Sequence, residues 1–434
     1  MNEPRIVVGI DVGTYKIVTV IGKVVDSTVH VLGVSEVKSQ GIRKGQIVDI
    51  EEAVGVINTS LESAERMAGY SASHVIVSLG GSQIESQNSR GVVAIADPKG
   101  EISATDLMRV IDAAKAISIP STREIIHVLP RNYIVDGQEG IKDPVGMSGI
   151  RLEVDTHIVT GNGVTVRNLE KAFSEVGVDV DSFAFSGYAS SLSVLSDTEK
   201  ELGVILVDVG AGTTDISIYT EGSVSYSSVL PIGARHVTND LAIGLRISLE
   251  SAEKIKLFLS QGVTKQHVKT EEMEEETDEE KSKRSDEIDL SSLGLPEEVK
   301  KVSQKTLIDG IIRPRLNEIC MMIGNEIKKS GFGGQTPAGI VLTGGGALTV
   351  GIRESARRTL AMPVRIGVPT DVKGIIDEVQ HPAFATSVGL ILYGAKNVTS
   401  RSSSFGGFSL PRIGGFGFSK LTKKTIGFIK TFIP

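Results

Sequence analysis

The spacing of apolar positions along this chain changes period several times, and each change predicts an element. RIVVGIDVG (residues 5–13), KIVTVIGKVV and VHVLGVSEV are short β-branched runs separated by turns, the pattern of an antiparallel meander. In IEEAVGVINTSLESAERM (50–67) apolar residues recur three and four apart, which predicts an amphipathic helix. SHVIVSLGG (73–81) reads as a buried strand. Residues 83–162 alternate strands with a single helix, SATDLMRVIDAAKAI, and are expected to form a separate module. A helix is expected from Val166 in VRNLEKAFSEVG, and VDVDSFAFSGYASSLSVL leads through a strand into another helix.

Near Gly203 the opening pattern returns. ELGVILVDVGAGTTDISIYTEGSVSYSSVLP repeats the theme of RIVVGIDVGTYKIVTVIGKVVDSTVHVLG: apolar strand, aspartate, Val-Gly, a small or hydroxylated turn, return strand. The chain is therefore expected to hold two halves of similar build. Residues 270–292 are dense in charge and almost free of apolar side chains, too few to offset ordering entropy, so a mobile surface loop is expected there. KTLIDGIIRPRLNEICMMIGNEIKKSG reads as helix with one proline, and AGIVLTGGGALTVGI as strand, glycine turn and helix. RSSSFGGFSLPRIGGFG (401–417) is linker-like in its Ser, Gly and Pro content.

Composition narrows the function classes. With 434 residues, 40% hydrophobic and 23% charged, the chain has the make-up of a soluble globular protein of two or three domains. A net charge of −7 offers no general basic surface, so nucleic acid is not expected as a partner. The single cysteine, Cys320, allows no internal disulfide and fits a reducing compartment. The N-terminus lacks the parts of a signal peptide, and no apolar run reaches the length of a membrane span, so an intracellular protein is expected.

The chemistry gathers at the glycine turns. Glycines let backbone N–H groups approach phosphate oxygens, hydroxyls add donors, and an aspartate at a strand end can hold a hydrated Mg²⁺. Asp11-Val-Gly13-Thr14 and Asp208-Val-Gly210-Ala-Gly212-Thr213-Thr214 are thus placed to clamp one polyphosphate, although either turn taken singly also reads as a structural loop. VLTGGGALTVGI adds a third glycine turn, suited to adenine and ribose or merely to a tight connection; it lacks the Gly-Lys-Ser/Thr of a Walker A loop. Glu253 and Lys256 lie three apart on one helix face, as an ordinary ion pair or as ribose contacts.

These pieces, in this order, resemble the actin-like ATPase superfamily, and within it the FtsA family of bacterial cell-division proteins. The likeness runs through nearly the whole chain and is carried by GIDVGTYKI, GQIVDI, FSGYASSLSVL, ELGVILVDVGAGTTDI, AGIVLTGGGA and TSVGLILYG. It implies an α/β, actin-like two-domain fold of duplicated ribonuclease-H-like domains around a nucleotide cleft. The first domain would comprise residues 1–82, 163–202 and 369–398, with an extra subdomain inserted at 83–162. The second would span 203–368 and include a smaller subdomain at about 225–310. ATP and Mg²⁺ are the implied cofactors. By the same resemblance Asp11 and Asp208 would sit at the metal. Gly13, Thr14, Gly212, Thr213 and Thr214 would sit at the phosphates. Glu253 and Lys256 would contact the adenosine, with Gly344, Gly345 and Gly346 along its base, and Tyr15, Lys16, Gly210 and Gly233 would also belong to the nucleotide site. Tyr15 departs from the small residue usual in that loop. Ser186 stands where hydrolysing relatives carry a water-orienting glutamine or glutamate, and the sequence shows no carboxylate beside it. Hydrolysis is therefore expected to be weak at most.

The tail adds independent physics. Placed on a helical wheel, Phe418, Leu421, Phe428, Ile429 and Phe432 share one face, while Lys420, Lys423, Lys424 and Lys430 fall on the other. Such a helix is too short to span a bilayer and is suited to lie in an anionic interface; docking on the protein's own core is the alternative. The family resemblance also implies a terminal membrane helix (418–434) after a linker (399–417). It implies attachment to the cytoplasmic face of the cell membrane at the division septum and filament formation with other copies of the chain. The C-terminal peptide of the tubulin-like division protein FtsZ would be bound through Lys305, Arg313 and Arg315, and later division proteins through the inserted module. A sugar-kinase-type phosphotransferase and a pilus-assembly protein of the same fold are the rival readings.

Overall fold

The computed structural model describes residues 5–403, except positions 27, 98 and 298 and the stretch 270–285. The acidic segment up to 285 and the amphipathic helix expected at 418–434 lie outside the described residues. Contacts divide the chain into residues 1–397 and 398–434, and the five sheets among the described residues belong to the first of these units. No helix among the described residues is long and apolar enough to cross a membrane.

Two sheets of matching order form the body. In the first, β1 (Arg5–Val12), β2 (Lys16–Val25) and β3 (Thr28–Lys38) run as the expected antiparallel meander. After a small hairpin, β4 (Ile42–Arg43) and β5 (Gln46–Ile47), the chain enters α1 (Ile50–Ala68) and returns as β6 (His74–Leu79), parallel to β1. The inserted module comes next: β7 (Glu85–Ala94), α2 (Ala104–Lys115), β8 (Arg123–Val135), β9 (Gln138–Ile141) and β10 (Arg151–Asn162) make a four-stranded sheet of order β7-β10-β8-β9. The main body resumes with α3 (Gly163–Val176), β11 (Asp179–Phe185), α4 (Ser186–Val194) and α5 (Asp197–Leu202). Helix α3 starts earlier than its apolar spacing predicts, because the Asn162 side chain accepts from the N–H groups of Val164 and Thr165 and caps the helix there.

The second sheet repeats the first. Strands β12 (Val204–Val209), β13 (Thr214–Thr220) and β14 (Ser223–Leu230) form an antiparallel meander. Helices α6 (Arg235–Leu245) and α7 (Leu249–Lys269) then lead to a hairpin of β15 (Glu287–Asp289) and β16 (Lys301–Ser303). The described part of the expected mobile loop, residues 286–292, is structured instead: Leu290 is fully buried in the core beside this hairpin. Residues 306–312 wind as a π-helical segment into α8 (Arg313–Ser330), so the stretch predicted as one helix changes pitch just before Pro314. β17 (Ile340–Thr343), α9 (Ile352–Leu360) and β18 (Val364–Ile366) complete a sheet of order β14-β13-β12-β17-β18. β19 (Val372–Gly374) rejoins the first sheet beside β3, and α10 (Ile376–Val379) leads to α11 (Ala385–Ser403), which runs past residue 399, where the linker was expected to begin.

Strand alternation decides what each sheet face meets. Ile205, Val207 and Val209 of β12 enter the core shared with α6, α7, α8 and α9, whereas Val204 and Leu206 face the core that contains Val194, Leu195 and Ala385. In β1, Val8, Ile10 and Val12 pack with Ile57, Leu61 and Phe173 of α1 and α3, while Val7 packs with Ala189, Val388 and Ile391. Helices α4 and α11 thus lie against both sheets. They cross so closely that a Cβ on Gly389 would come within 1.9 Å of the Ala189 carbonyl oxygen.

Candidate functional site

The two turns meet. A Cβ built on Gly212 would lie 3.0 Å from Thr14 Oγ1 and 3.1 Å from its methyl carbon, so the β1–β2 and β12–β13 turns face one another across a narrow gap. Gly13 has no room for a side chain, since Lys16 O lies 2.6 Å from its Cβ position and accepts from the Gly13 N–H. The Thr14 hydroxyl accepts from Gly45 N. In the second turn Gly210 N donates to Thr213 O, and the carbonyls of Gly210 and Ala211 accept from Ala234 and Arg235 at the start of α6. Gly233 permits that contact: its Cβ would stand 2.4 Å from Gly210 O.

Behind the turns lie three aspartates on the face that looks toward α4 and α11. Asp208 and Asp215 are directly opposite in the antiparallel register, which puts both carboxylates on the same side of the sheet. Both are 5% exposed, and Asp215 Oδ1 is buried without a hydrogen-bond partner. Burial pushes the Asp215 carboxyl well above the usual range, and the charges of Asp208 and Asp11 add to the effect. Asp208 is raised by burial and held down in part by Ser190 and Thr386. Asp11 is pushed up to about 6 by burial, against the hydrogen bond from Ser78 and with help from the Asp208 charge. Ser78 Oγ donates to Asp11 Oδ1 at 2.8 Å while accepting from Val12 N. Among the described residues no three His, Cys, Asp or Glu side chains converge as one chelating set.

The other expected site residues make the following contacts within the chain. Thr214 is fully buried and donates its hydroxyl to Ile232 O at 2.8 Å. The expectation that this hydroxyl faces a phosphate is corrected by alternation: Asp215 points to the cleft side, so Thr214 points to the α6 side. Gly344 and Gly346 are needed for packing, as Cβ atoms there would come within 2.1 Å of Asp208 Oδ1 and 2.5 Å of Val209 Cγ1; Gly345 alone of the three is exposed. Lys16 pairs with Glu36 at 2.6 Å and lies over the Phe384 ring. Glu253 and Lys256 bond each other at 2.7 Å and both engage Thr238. Tyr15 is 44% exposed, and its phenol is raised by burial and by the charges of Glu253 and Glu36, which places it electrostatically beside the α7 pair.

Two further expectations change. Asp215 Oδ1 and Ser186 Oγ lie 3.9 and 3.0 Å from one point, the Cβ position of Gly80. A carboxylate that the sequence does not place there thus shares the neighbourhood of Ser186. The signal was present in the hairpin sequence, where Asp208 and Asp215 flank the turn symmetrically. Of the three cations assigned to an acidic peptide, Arg315 forks onto Asp240 and also pairs with Glu318, and Arg313 pairs with Asp309 at 2.7 Å. Both are thus ion-paired within the chain, Arg313 with a part-exposed side chain, while Lys305 is exposed.

Comparison with known proteins gives a consistent result. The family profile described as "Cell division protein FtsA" matches residues 205–389, and that of an "SHS2 domain inserted in FTSA" matches residues 81–160. Curated cell division proteins FtsA are similar over nearly the full length. That of Pseudomonas aeruginosa is 38% identical over 91% of this chain and 90% of its own. That of Escherichia coli K12 is 34% identical over 91% and 92%, and that of Bacillus subtilis 33% over 95% and 88%. Among solved structures, the PilM-PilN type IV pilus biogenesis complex superposes with a TM-score of 0.62 at 14% identity, covering 90% of this chain and 98% of that one. MreB5 of Spiroplasma citri bound to ADP gives 0.52 at 14% identity, covering 92% and 99%. At such identities the likeness is one of fold, and the fold is actin-like.

Proposed function

Starting from a chain that belongs to the FtsA family of cell division proteins, we propose that it is an ATP-binding, membrane-attached adaptor of the division machinery. ATP sits between the two turns, the terminal helix lies in the anionic inner leaflet, and the FtsZ C-terminal peptide docks on the second domain. Copies of the chain associate as actin-like filaments, and the inserted module receives later division proteins.

One observation carries the nucleotide reading: two glycine turns meet at Thr14 and Gly212 in front of three aspartates, of which Asp208 and Asp215 are buried and Asp215 has an orphaned oxygen. Buried like charges at this spacing are costly unless a cation neutralises them. The residues fit Mg²⁺, with Asp11 and Asp208 as those that would hold it; with two protein carboxylates, most of its shell would be water and phosphate, as is usual for this ion. When bound it would neutralise phosphate charge. Backbone N–H groups of the two turns, other than those of Gly13 and Gly210 that bond Lys16 O and Thr213 O, would supply donors, and Asp215 is the carboxylate available to orient a water in the neighbourhood of Ser186. MreB5 structures of the same fold hold ADP or AMPPNP. The pilus reading loses weight because its solved representative shares fold alone, whereas the sequence relatives are division proteins.

Co-sedimentation tests the adaptor role. With vesicles containing anionic lipid, the full chain is expected to pellet and to carry purified FtsZ down with it. A version ending at Gly415 should leave both in the supernatant. Equal pelleting of the shortened form would contradict the tether.

A further inference from the structure

The Asp208 carboxylate is held in an unequal way. Ser190 of α4 donates to its Oδ2, and Thr386 of α11 donates to the same atom at 3.1 Å; the two hydroxyls are 3.0 Å apart. All three side chains are buried. The other oxygen, Oδ1, faces Gly344, where any side chain would collide with it. In the first half of the molecule Asp11 is held by Ser78, from the neighbouring strand of its own sheet. The second half differs in kind: its donors come from the pair of helices shared by both sheets, within a turn of the Ala189–Gly389 crossing.

We infer that Ser190 and Thr386 are positioning residues for the metal–nucleotide site, fixing the Asp208 carboxylate through Oδ2 before the ion binds. This rests on the nucleotide reading above. Strand β12 delivers Asp208 to the face shared with Leu206, which is the face that α4 and α11 cover. Two donors on one oxygen remove rotation of the carboxylate, so binding need not freeze it. Because those donors lie on α4 and α11, opening the angle between the two sheets would draw them from Asp208, which ties metal affinity to lobe closure.

The test measures affinity for a fluorescent ATP analogue in Mg²⁺ and in EDTA, for the parent and for Ser190→Ala/Thr386→Val. The parent is expected to bind more tightly in Mg²⁺. In the double variant that ratio should fall about tenfold or more, the scale of one lost charge-assisted hydrogen bond, with affinity in EDTA nearly unchanged. Thr386→Ser, which keeps a hydroxyl, should retain the parent ratio. An unchanged ratio in the double variant overturns the inference. Should the double variant fail to fold by circular dichroism, Thr386→Val against Thr386→Ser carries the comparison, and equal ratios there overturn it. A folded parent that binds no nucleotide in either buffer overturns the underlying reading and the inference with it.

Discussion

Among single residues, Asp215 is the most exposed to test. Its carboxyl is buried beside two others with one oxygen unpaired, so in the nucleotide-free protein its charge works against folding. Asp215→Asn is therefore expected to raise the melting temperature of the nucleotide-free chain at pH 7 by a few degrees, about 1 kcal/mol or more. The same change should slow any ATP turnover by about 10²-fold or more, the range for loss of a positioned acid–base group. Thermal denaturation and phosphate release check the two halves. Asp11 and Asp208 were legible in the sequence because each ends an apolar strand before glycine. The roles of Asp215 and Thr214 depend on which face of β13 each occupies, and that becomes readable only once the register Asp208↔Asp215 is known. For Gly344 and Gly346 the sequence marked a close approach without saying to what, and within the chain it is to Asp208 and Val209.

For the elements, the inserted module is fastened to both sheets by a polar seam. His157 bonds Asn88 at 2.7 Å and Ser227 of β14 at 3.0 Å, and His127 accepts from Phe185 N at the start of α4. Ser86 and Asn88 of β7 add bonds to Ser227 O and Ser225 O. Burial holds the two imidazoles neutral, His127 down to about 4 and His157 to about 3. Folded values below the free value of about 6.5 mean full stability above that pH and progressive loss as pH falls through 6.5 toward 4. Urea denaturation at pH 7 and pH 5 should show each histidine removing about 2 kcal/mol at the lower pH. Replacing His157 with Asn should make that acid slope shallower by one proton; an unchanged slope would contradict the buried neutral state. A second seam is the Arg365 fork on Glu199, with bonds of 2.6 and 2.7 Å between α5 and β18, which holds the Glu199 carboxyl near 2. Glu199→Gln should cost about 1–3 kcal/mol at pH 7. That loss should vanish as pH falls from about 4.5 through 2, because a lowered carboxyl contributes only while ionised. Strand and helix periods made these elements readable in advance, yet the seam was invisible, since nothing in the spacing of Asn88 or Ser227 says they meet.

At the level of the whole molecule, duplication was legible in the repeated strand–aspartate–glycine theme, and the two sheets show it in matching order. What the sequence could not reveal is that α4 and α11 serve both sheets at once, because each reads locally as an ordinary helix. That shared pair makes the gap between the turns a property of the entire body. A side chain placed in the gap should therefore act as a wedge. Gly212→Val would put its branched carbon against Thr14, within the 3.0 Å already measured from the Cβ position, and block entry of a phosphate without touching a carboxylate. Calorimetric titration of the folded full chain with ATP and Mg²⁺ addresses the matter most directly. One ATP per chain should bind the parent, and the heat should disappear with Gly212→Val. A folded parent that releases no heat, or a Gly212→Val variant that binds as well as the parent, would contradict the account.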